Sequence, residues 1–278
     1  MTPDQEQWIE SLVCERISAD EQNDTLRLAF ENSKLEYLSD YIARPDLMEL
    51  DLNGDQAIYV IKDDRQLLAF FTLQCGNVFA RVIKEEDKEF YDLFKAKPNL
   101  TKAQQEKLNN YQALHDLSDL EMKRRIDEIE AKIERLRPKK NDEAKYETGE
   151  DVTLVSDTFP GIEIVYLCKN ESYQGNFADL FPDTRLGVVL FMCKIVPILK
   201  QIHGLIGCKF VYLFAATNER DEKLIAHYSD NFGFKPNPGY GVNKSLHASG
   251  CVFMAQQLTD LFHRAKEFEP NSTPPIDD

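Results

Sequence analysis

The sequence predicts an α/β protein in which a mixed sheet is flanked by helices and interrupted by a charged helical insertion. Two runs rich in β-branched and aromatic residues, 57–61 and 66–73, are separated by a short polar turn, which indicates an antiparallel hairpin. A strand, a long apolar helix and a second strand follow one another from 162 to 216, the order of a right-handed parallel unit. Charged residues dominate from 84 to 151.

Composition and charge indicate which kinds of partner and which cellular compartment to expect. The 278 residues include 33 Lys and Arg against 48 Asp and Glu, a formal net charge of −15. An acidic surface repels phosphate backbones, so nucleic acid is a poor default partner unless a local basic patch overrides the average. The six cysteines are scattered without a CxxC pair, which predicts reduced thiols in a cytoplasmic protein and no metal site. The acidic N-terminus predicts no signal peptide, and the apolar run 186–206 is expected to be core rather than membrane.

The N-terminal region precedes the hairpin. The segment 8–17 suits either a first strand or a short helix, and we favour the strand. Apolar residues from 25 to 41 have helical spacing, with a break at 32–33 and Ser33 as a candidate N-cap.

The charged insertion predicts a helical hairpin. Helices are expected at 102–114 and 118–136, the second ended by Pro138. A docking arm for a partner or substrate is one interpretation, and a solvated decoration or homodimer contact is the other. The predicted domains are therefore a discontinuous core of 1–83 with 152–264, an insertion of 84–151, and a disordered tail of 265–278.

The rest of the chain is organised around the segment 161–234. It contains an apolar strand at 162–168, a polar loop, an almost wholly apolar helix at 185–206, a buried strand at 209–216, and a short helix closed by Gly-Phe. Ligands bind such units at the carboxyl ends of the strands, where a loop leads into a helix N-terminus.

This order of elements resembles the GCN5-related N-acetyltransferase superfamily. The resemblance is carried by the early helix at 30–38, the hairpin at 57–73, and the segment 161–234 with its closing Tyr-Ser-Asp-Asn-Phe-Gly-Phe. It excludes 84–151. It implies a mixed, mostly antiparallel sheet, acetyl-CoA as the cofactor, and transfer of an acetyl group to an amine.

The resemblance also implies where acetyl-CoA binds. The end of the strand would offer backbone groups to the pantetheine arm, and amides at the following helix start would hold the pyrophosphate. The family writes this loop as Gln/Arg-x-x-Gly-x-Gly/Ala, whereas here 177–184 interrupts it. The implied cofactor-binding residues are Leu167, Cys168, Gln174, Gly175, Arg185, Leu186, Gly187, Val188 and Asn218. Arg185 is alternatively an ordinary surface residue, and Asn218 alternatively caps the next helix.

Two residues are candidates for proton transfer. In the family a tyrosine before Gly-Phe often protonates the leaving thiolate; Tyr228 lies five residues before Gly233, where four is usual. Ser229 occupies the fourth place, but serine is a poor acid, so we prefer Tyr228 and assume a helix longer by one residue. A tyrosine packed against the sheet is the alternative. Glu163, among apolar strand residues, is the candidate base, with a solvated face as the alternative.

Three functions therefore stay open. The first is an acetyl-CoA-dependent N-acyltransferase that acts on a small amine, a peptide N-terminus or a lysine. The second is a binding or regulatory protein that kept the fold and lost catalysis, favoured by the interrupted phosphate loop. The third, least favoured because of the −15 charge, is a toxin-type acetyltransferase of aminoacyl-tRNA.

Overall fold

The computed structural model describes residues 1–81, 85–136, 155–216, 221–236, 240–242 and 251–268. The strands are β1 (Val13–Arg16), β2 (Ala57–Lys62), β3 (Leu67–Arg81), β4 (Val155–Lys169), β5 (Phe210–Ala215), β6 (Lys235–Pro236), β7 (Tyr240–Val242) and β8 (Val252–Gln257). The helices are α1 (Pro3–Ser11), α2 (Gln22–Leu26), α3 (Glu36–Ile42), α4 (Leu47–Leu52), α5 (Glu85–Lys95), α6 (Lys102–Leu114), α7 (Asp119–Leu136), α8 (Phe177–Leu180), α9 (Leu186–Leu190), α10 (Val196–Ile206), α11 (Asp221–His227) and α12 (Leu258–Lys266).

The strands form one mixed sheet in the order β1-β2-β3-β4-β5-β8-β6, with β7 beside β3. Neighbours β4 and β5 are parallel, and the pairs β1–β2, β2–β3, β5–β8 and β6–β8 are antiparallel. The hairpin predicted at 57–73 is β2–β3, and the predicted crossover unit is β4, the apolar helix and β5. The predicted fold class, a mostly antiparallel mixed sheet flanked by helices, is confirmed.

The chain divides into two compact units. One contains Met1–Val78, Phe159–Pro238 and Val242–Asp278, and the other contains Phe79–Thr158 and Gly239–Gly241. The domain limits predicted from composition, 84 and 151, stay a prediction.

One face of the sheet in the first unit is covered by the apolar helix. α9, a π-helical turn (Phe191–Ile195) and α10 follow one another without a break. A proline inside an α-helix removes a hydrogen bond and clashes with the carbonyl four residues back, and the wider π turn comes just before Pro197. By length and composition this 21-residue helix is also able to cross a membrane. Its residues Val189, Phe191 and Leu199 are buried in the core cluster, which accounts for that composition.

The opposite face is covered by the N-terminal helices. Its core joins Phe30, Leu38 and Ile42 to the β2 and β3 residues Val60 and Phe70. A buried arginine fastens these helices together, because the Arg27 guanidinium donates to the carbonyls of Ile42 and Arg44, both at 2.9 Å.

Two expectations for the N-terminal region need correction. Residues 3–11 are helical and only 13–16 form a strand, because Thr2 and Gln5 make a capping box and Pro3 opens the helix. Ser33 does not cap a helix; its hydroxyl donates to Glu171 Oε2 at 2.6 Å, and Leu35 is the N-cap of α3.

The second unit contains three helices among its described residues, where the sequence predicted a pair. α6 has the predicted bounds and begins with a capping box of Thr101 and Gln104. α5 was missed. The three helices share a small core of their own, formed by Phe90, Leu93, Leu108, Met122 and Ile126.

The C-terminal helix α12 runs to Lys266, two residues into the predicted tail. The tail from 269 onward lies outside the described residues.

Candidate active site

A fork opens between the two parallel strands. The pairing of β4 with β5 runs from Gly161 opposite Phe210 to Ile164 opposite Leu213 and ends there. β4 continues for five more residues, to Lys169. Backbone groups that leave a ladder are able to pair with an extended ligand, so the fork is a place where an amide-containing chain fits.

The alternation of β4 shifts by one residue at the same point. Ile162 and Ile164 belong to the core under the apolar helix, and so does Leu167, three residues on. Tyr166 and Cys168 pack in the opposite core, against the N-terminal helices. One extra residue in a strand's alternation is the mark of a bulge, which bends the strand and ends its pairing. The predicted cofactor residues Leu167 and Cys168 therefore lie on the forked part of β4, with side chains on opposite faces.

The apolar helix begins, at α9, with unpaired amides. Arg185 is the N-cap of α9, and its carbonyl accepts from the amides of Val188 and Val189 at 3.0 and 3.3 Å. Within the described residues the amides of Leu186 and Gly187 have no hydrogen-bond partner. A Cβ added at Gly187 would meet no atom within 4 Å, so the space beside it is open. Such a helix start attracts an anion through both its amides and its dipole.

Two cations, one of them the N-cap Arg185, influence the same histidine. The pKa of His227 is lowered, first by burial and then by the positive charges of Arg185 and Lys169, while Asp230 opposes the shift. Arg185 and Lys169 are therefore close enough to one imidazole to create a shared positive potential. The predicted residue Arg185 thus has a basic companion, Lys169, which the sequence analysis did not select.

The first half of the predicted phosphate loop is tied to the β2–β3 turn. Gln66 Nε2 donates to the Gln174 carbonyl at 2.9 Å, and the Tyr173 ring lies where a Cβ on Gly175 would be, 2.2 Å from its hydroxyl oxygen. Gln174 is thus tied to the β2–β3 turn, and Gly175 is packed against Tyr173 in the loop. Among the described residues, no hydrogen bond joins Gln174 or Gly175 to the amides of the α9 start.

The residues that interrupt the loop have a packing role. Phe177 and Phe181 stack on each other at 4.9 Å and both contact the Trp8 ring at 5.5 Å. Gln5 Nε2 donates to the Leu180 carbonyl at 2.7 Å. The insertion is therefore folded onto α1.

Tyr228 lies at the start of a π-helical turn (Tyr228–Phe232) that continues α11. Its ring contacts Phe232 and Phe234 at 6.0 and 6.2 Å, and burial raises its pKa to about 12, with smaller contributions from Tyr37 and Cys168. Its hydroxyl has no hydrogen-bond partner among the described residues. Tyr228 is therefore a protonated phenol beside the forked end of β4, where Cys168 lies.

Glu163 lies at the closed end of the fork. It is the register partner of Tyr212 on β5, and the Tyr212 hydroxyl donates to Glu163 Oε2 at 3.2 Å. At about 3.3 Å per residue, Cys168 lies roughly 16 Å further along the strand. The two proton-transfer candidates are therefore not brought together: Glu163 lies where the fork closes, and Cys168, which influences the pKa of Tyr228, lies at its open end. Asn218 lies outside the described residues.

The early segment is fastened to the end of β4. The amide of Glu31 donates to Asn170 Oδ1 at 3.1 Å, and Asn32 Nδ2 donates to the Lys169 carbonyl at 3.2 Å. Asn170 in turn donates to the Leu67 carbonyl at 2.8 Å. These bonds hold the segment before α3 at the end of β4.

Similarity to known proteins is found among solved structures and not among sequences. No family model matches the chain, and no curated protein matches it. A bacterial toxin is 13% identical, covers 93% of this chain and 97% of its own, and has a TM-score of 0.46. AtaTR bound with AcCoA is 14% identical with coverages of 91% and 96% and a TM-score of 0.45. AtaT complexed with acetyl-methionyl-tRNAfMet is 14% identical with coverages of 87% and 93% and a TM-score of 0.41.

These solved structures are similar to the chain over most of its length, at TM-scores below 0.5. At such low identities the similarity concerns the fold alone. It therefore assigns no role to any residue of the candidate site.

The prediction that nucleic acid is a poor partner is wrong as a general exclusion. Solved structures similar to this chain include AtaT complexed with acetyl-methionyl-tRNAfMet and a KacTA-DNA complex. The prediction used the −15 net charge, which is an average over the chain. Binding of phosphates depends on local charge, which the average over the chain does not describe.

Proposed function

We propose that this protein is an acetyl-CoA-dependent N-acetyltransferase that moves an acetyl group to a primary amine by direct attack. One observation carries the proposal. A strand pair forks at Ile164, α9 begins with two unpaired amides at Leu186 and Gly187, and the positive charges of Arg185 and Lys169 both act on His227. This arrangement suits a ligand with an extended amide chain at one end and phosphates at the other.

The residues present fit the chemistry of acetyl-CoA. The amides of Leu186 and Gly187, with Arg185 and Lys169, would hold phosphate oxygens, and the open space beside Gly187 admits them. The forked backbone after Ile164 would pair with the pantetheine amides. When bound, acetyl-CoA supplies an acetyl group activated as a thioester.

The chain's own residues would move two protons. Glu163 would accept a proton from the acceptor amine at the closed end of the fork, before the amine reaches the thioester, because an ammonium group has no lone pair with which to attack. Tyr228 would donate a proton to the leaving sulfur. Its pKa of about 12 keeps the phenol protonated at neutral pH, and its hydroxyl is not engaged with another described residue.

The acceptor stays open among amines of different size. A small amine, a peptide N-terminus and a lysine side chain all present the required group. The α-amino group of an aminoacyl-tRNA belongs in the same set, since AtaT was solved with an acetylated aminoacyl-tRNA.

Release of coenzyme A tests the proposal. The protein is incubated with acetyl-CoA and a panel of polyamines, aminoglycosides, short peptides and aminoacyl-tRNAs, and free thiol is measured. We expect at least one acceptor to raise thiol release well above the rate without acceptor. Acetyl-CoA binding without turnover on any acceptor would favour the alternative, a binding or regulatory protein that has lost catalysis.

A further inference from the structure

The side chain of Tyr212 lies across two neighbouring strands. It starts on β5 and extends over β4 towards β3, on the face opposite the apolar helix. A Cβ at Gly76 on β3 would lie 1.9 Å from the Tyr212 hydroxyl oxygen, and one at Gly161 on β4 would lie 3.2 Å from a ring carbon. Two strand positions thus lack a side chain where this phenol lies, although glycine weakens a strand interior.

The ring is fixed from the other side by aromatic neighbours. Phe253 on β8 and Phe214 on β5 lie with ring centroids 5.9 and 6.2 Å from that of Tyr212. The Tyr212 side chain is 3% exposed. The position of its hydroxyl is therefore set by packing, and that hydroxyl donates to Glu163 Oε2 at 3.2 Å.

The phenol is a donor at any physiological pH. Burial raises the pKa of Tyr212, and the neighbouring Glu163 carboxylate raises it further, with a small contribution from the Cys75 thiol on β3. A hydrogen bond donated to a carboxylate favours its charged form, which is the form that a general base needs.

We infer that Tyr212 is a positioning residue for Glu163: its hydroxyl, lying over Gly76 and Gly161, holds the carboxylate at the closed end of the fork. The inference rests on the proposed function, in which Glu163 accepts the proton of the acceptor amine. Two glycines and a tyrosine on three neighbouring strands thus act together to orient the base.

A double-mutant cycle tests the placement without any activity. Gly76→Ala is measured by thermal unfolding in the wild type and in Tyr212→Phe, with Gly204→Ala, which meets open space, as the control. We expect Gly76→Ala to lower the Tm strongly in the wild type and much less in Tyr212→Phe, because the closest atom is then absent. An equal loss in both backgrounds, or loss of folding in both, would overturn the inference.

The pH profile of kcat/KM tests the role. In Tyr212→Phe we expect the acidic limb to move to higher pH by about one unit, with little change in the KM for acetyl-CoA. Tyr59→Phe is the matched control, since Tyr59 is a half-buried strand tyrosine whose ring stacks on Phe71 at 5.0 Å. In Glu163→Gln the acidic limb of the kcat/KM profile should be absent.

The possible outcomes distinguish failure of the positioning role of Tyr212 from failure of the proposed function. A profile that changes in Glu163→Gln but not in Tyr212→Phe would overturn the inference alone. An unchanged profile in Glu163→Gln would overturn both the base and the inference. Absence of turnover in the wild type would count against the proposed function, and the stability cycle would still decide whether Tyr212 lies over Gly76.

Discussion

The backbone N–H of Phe234 donates to the carbonyl oxygen of Tyr228 at 3.2 Å, across a π-helical turn that ends at Gly233. A π turn contains one residue more than an α turn between bonded groups. Gly233 closes it in the left-handed region, at φ 84°, which suits glycine. The five-residue spacing from Tyr228 to Gly233, where the related family usually has four, thus has a structural counterpart in this turn.

Removing the Tyr228 hydroxyl should slow catalysis without disturbing the fold. Tyr228→Phe keeps the ring and its contacts with Phe232 and Phe234. General acid catalysis typically contributes roughly 10²–10⁴-fold, so we expect kcat to fall by about that factor while acetyl-CoA affinity stays unchanged. Steady-state kinetics with an accepted amine and calorimetry with acetyl-CoA measure the two effects.

Ser229→Ala is the matched control, one residue further along the turn, and it should retain most of its activity. If Ser229→Ala were inactive and Tyr228→Phe fully active, the assignment of the acid would be off by one residue. Full activity in both variants would mean that the proton comes from elsewhere, for example from water.

His227 should titrate below the usual range of a histidine. Burial, Arg185 and Lys169 all lower its pKa, so the folded protein takes up this proton less readily than the unfolded chain, whose histidine pKa is about 6.5. Stability should consequently be lost as the pH falls through and below that value. NMR titration of the imidazole gives the pKa directly.

Arg185→Gln removes one of the positive charges and should raise the His227 pKa. Lys200→Gln, which removes an exposed lysine from α10, should leave it unchanged. An identical His227 pKa in the wild type and in Arg185→Gln would show that the two residues are not neighbours.

Local patterns were sufficient for most of the fold, whereas the roles of the candidate site residues stay predictions. The hairpin β2–β3, the crossover from β4 through the apolar helix to β5, and α6 follow from alternation, apolar content and capping residues. Tyr228 and Gly187 were selected because their positions relative to Gly-Phe and the helix start are local. Tyr212 was not selected, because Glu163 and Gly76 are distant in sequence. They become its neighbours only through the register of β3, β4 and β5.

The wrong assignment of Ser33 has the same cause. Serine before a helix is a reasonable N-cap. Here its hydroxyl and amide both donate to Glu171, a residue 138 positions further along the chain. Ser33 therefore bonds to the distant Glu171 and not to the nearby helix start. A pattern in neighbouring residues cannot predict a partner that far along the chain.

The core of the helical unit should depend on Leu108. This side chain is 1% exposed among Phe90, Met122 and Ile126, so Leu108→Ala should destabilise the unit by about 2–5 kcal/mol. Leu114→Ala is the matched control on the same helix, because Leu114 is 81% exposed and its loss should change stability by only about 0.5 kcal/mol or less. Thermal unfolding and the rate of proteolysis between 95 and 101 report the difference. Similar effects of the two substitutions would mean that α6 does not bury Leu108.

Calorimetric titration with acetyl-CoA tests the central claim most directly. The wild type should bind, Gly187→Asp should lose binding because a carboxylate would stand against the phosphates, and Gly204→Asp should bind like the wild type. The control is matched, since Gly204 belongs to the same continuous helix and a Cβ there also meets open space. Absence of binding by the wild type, or equal binding by Gly187→Asp and Gly204→Asp, would contradict a phosphate site at the start of α9.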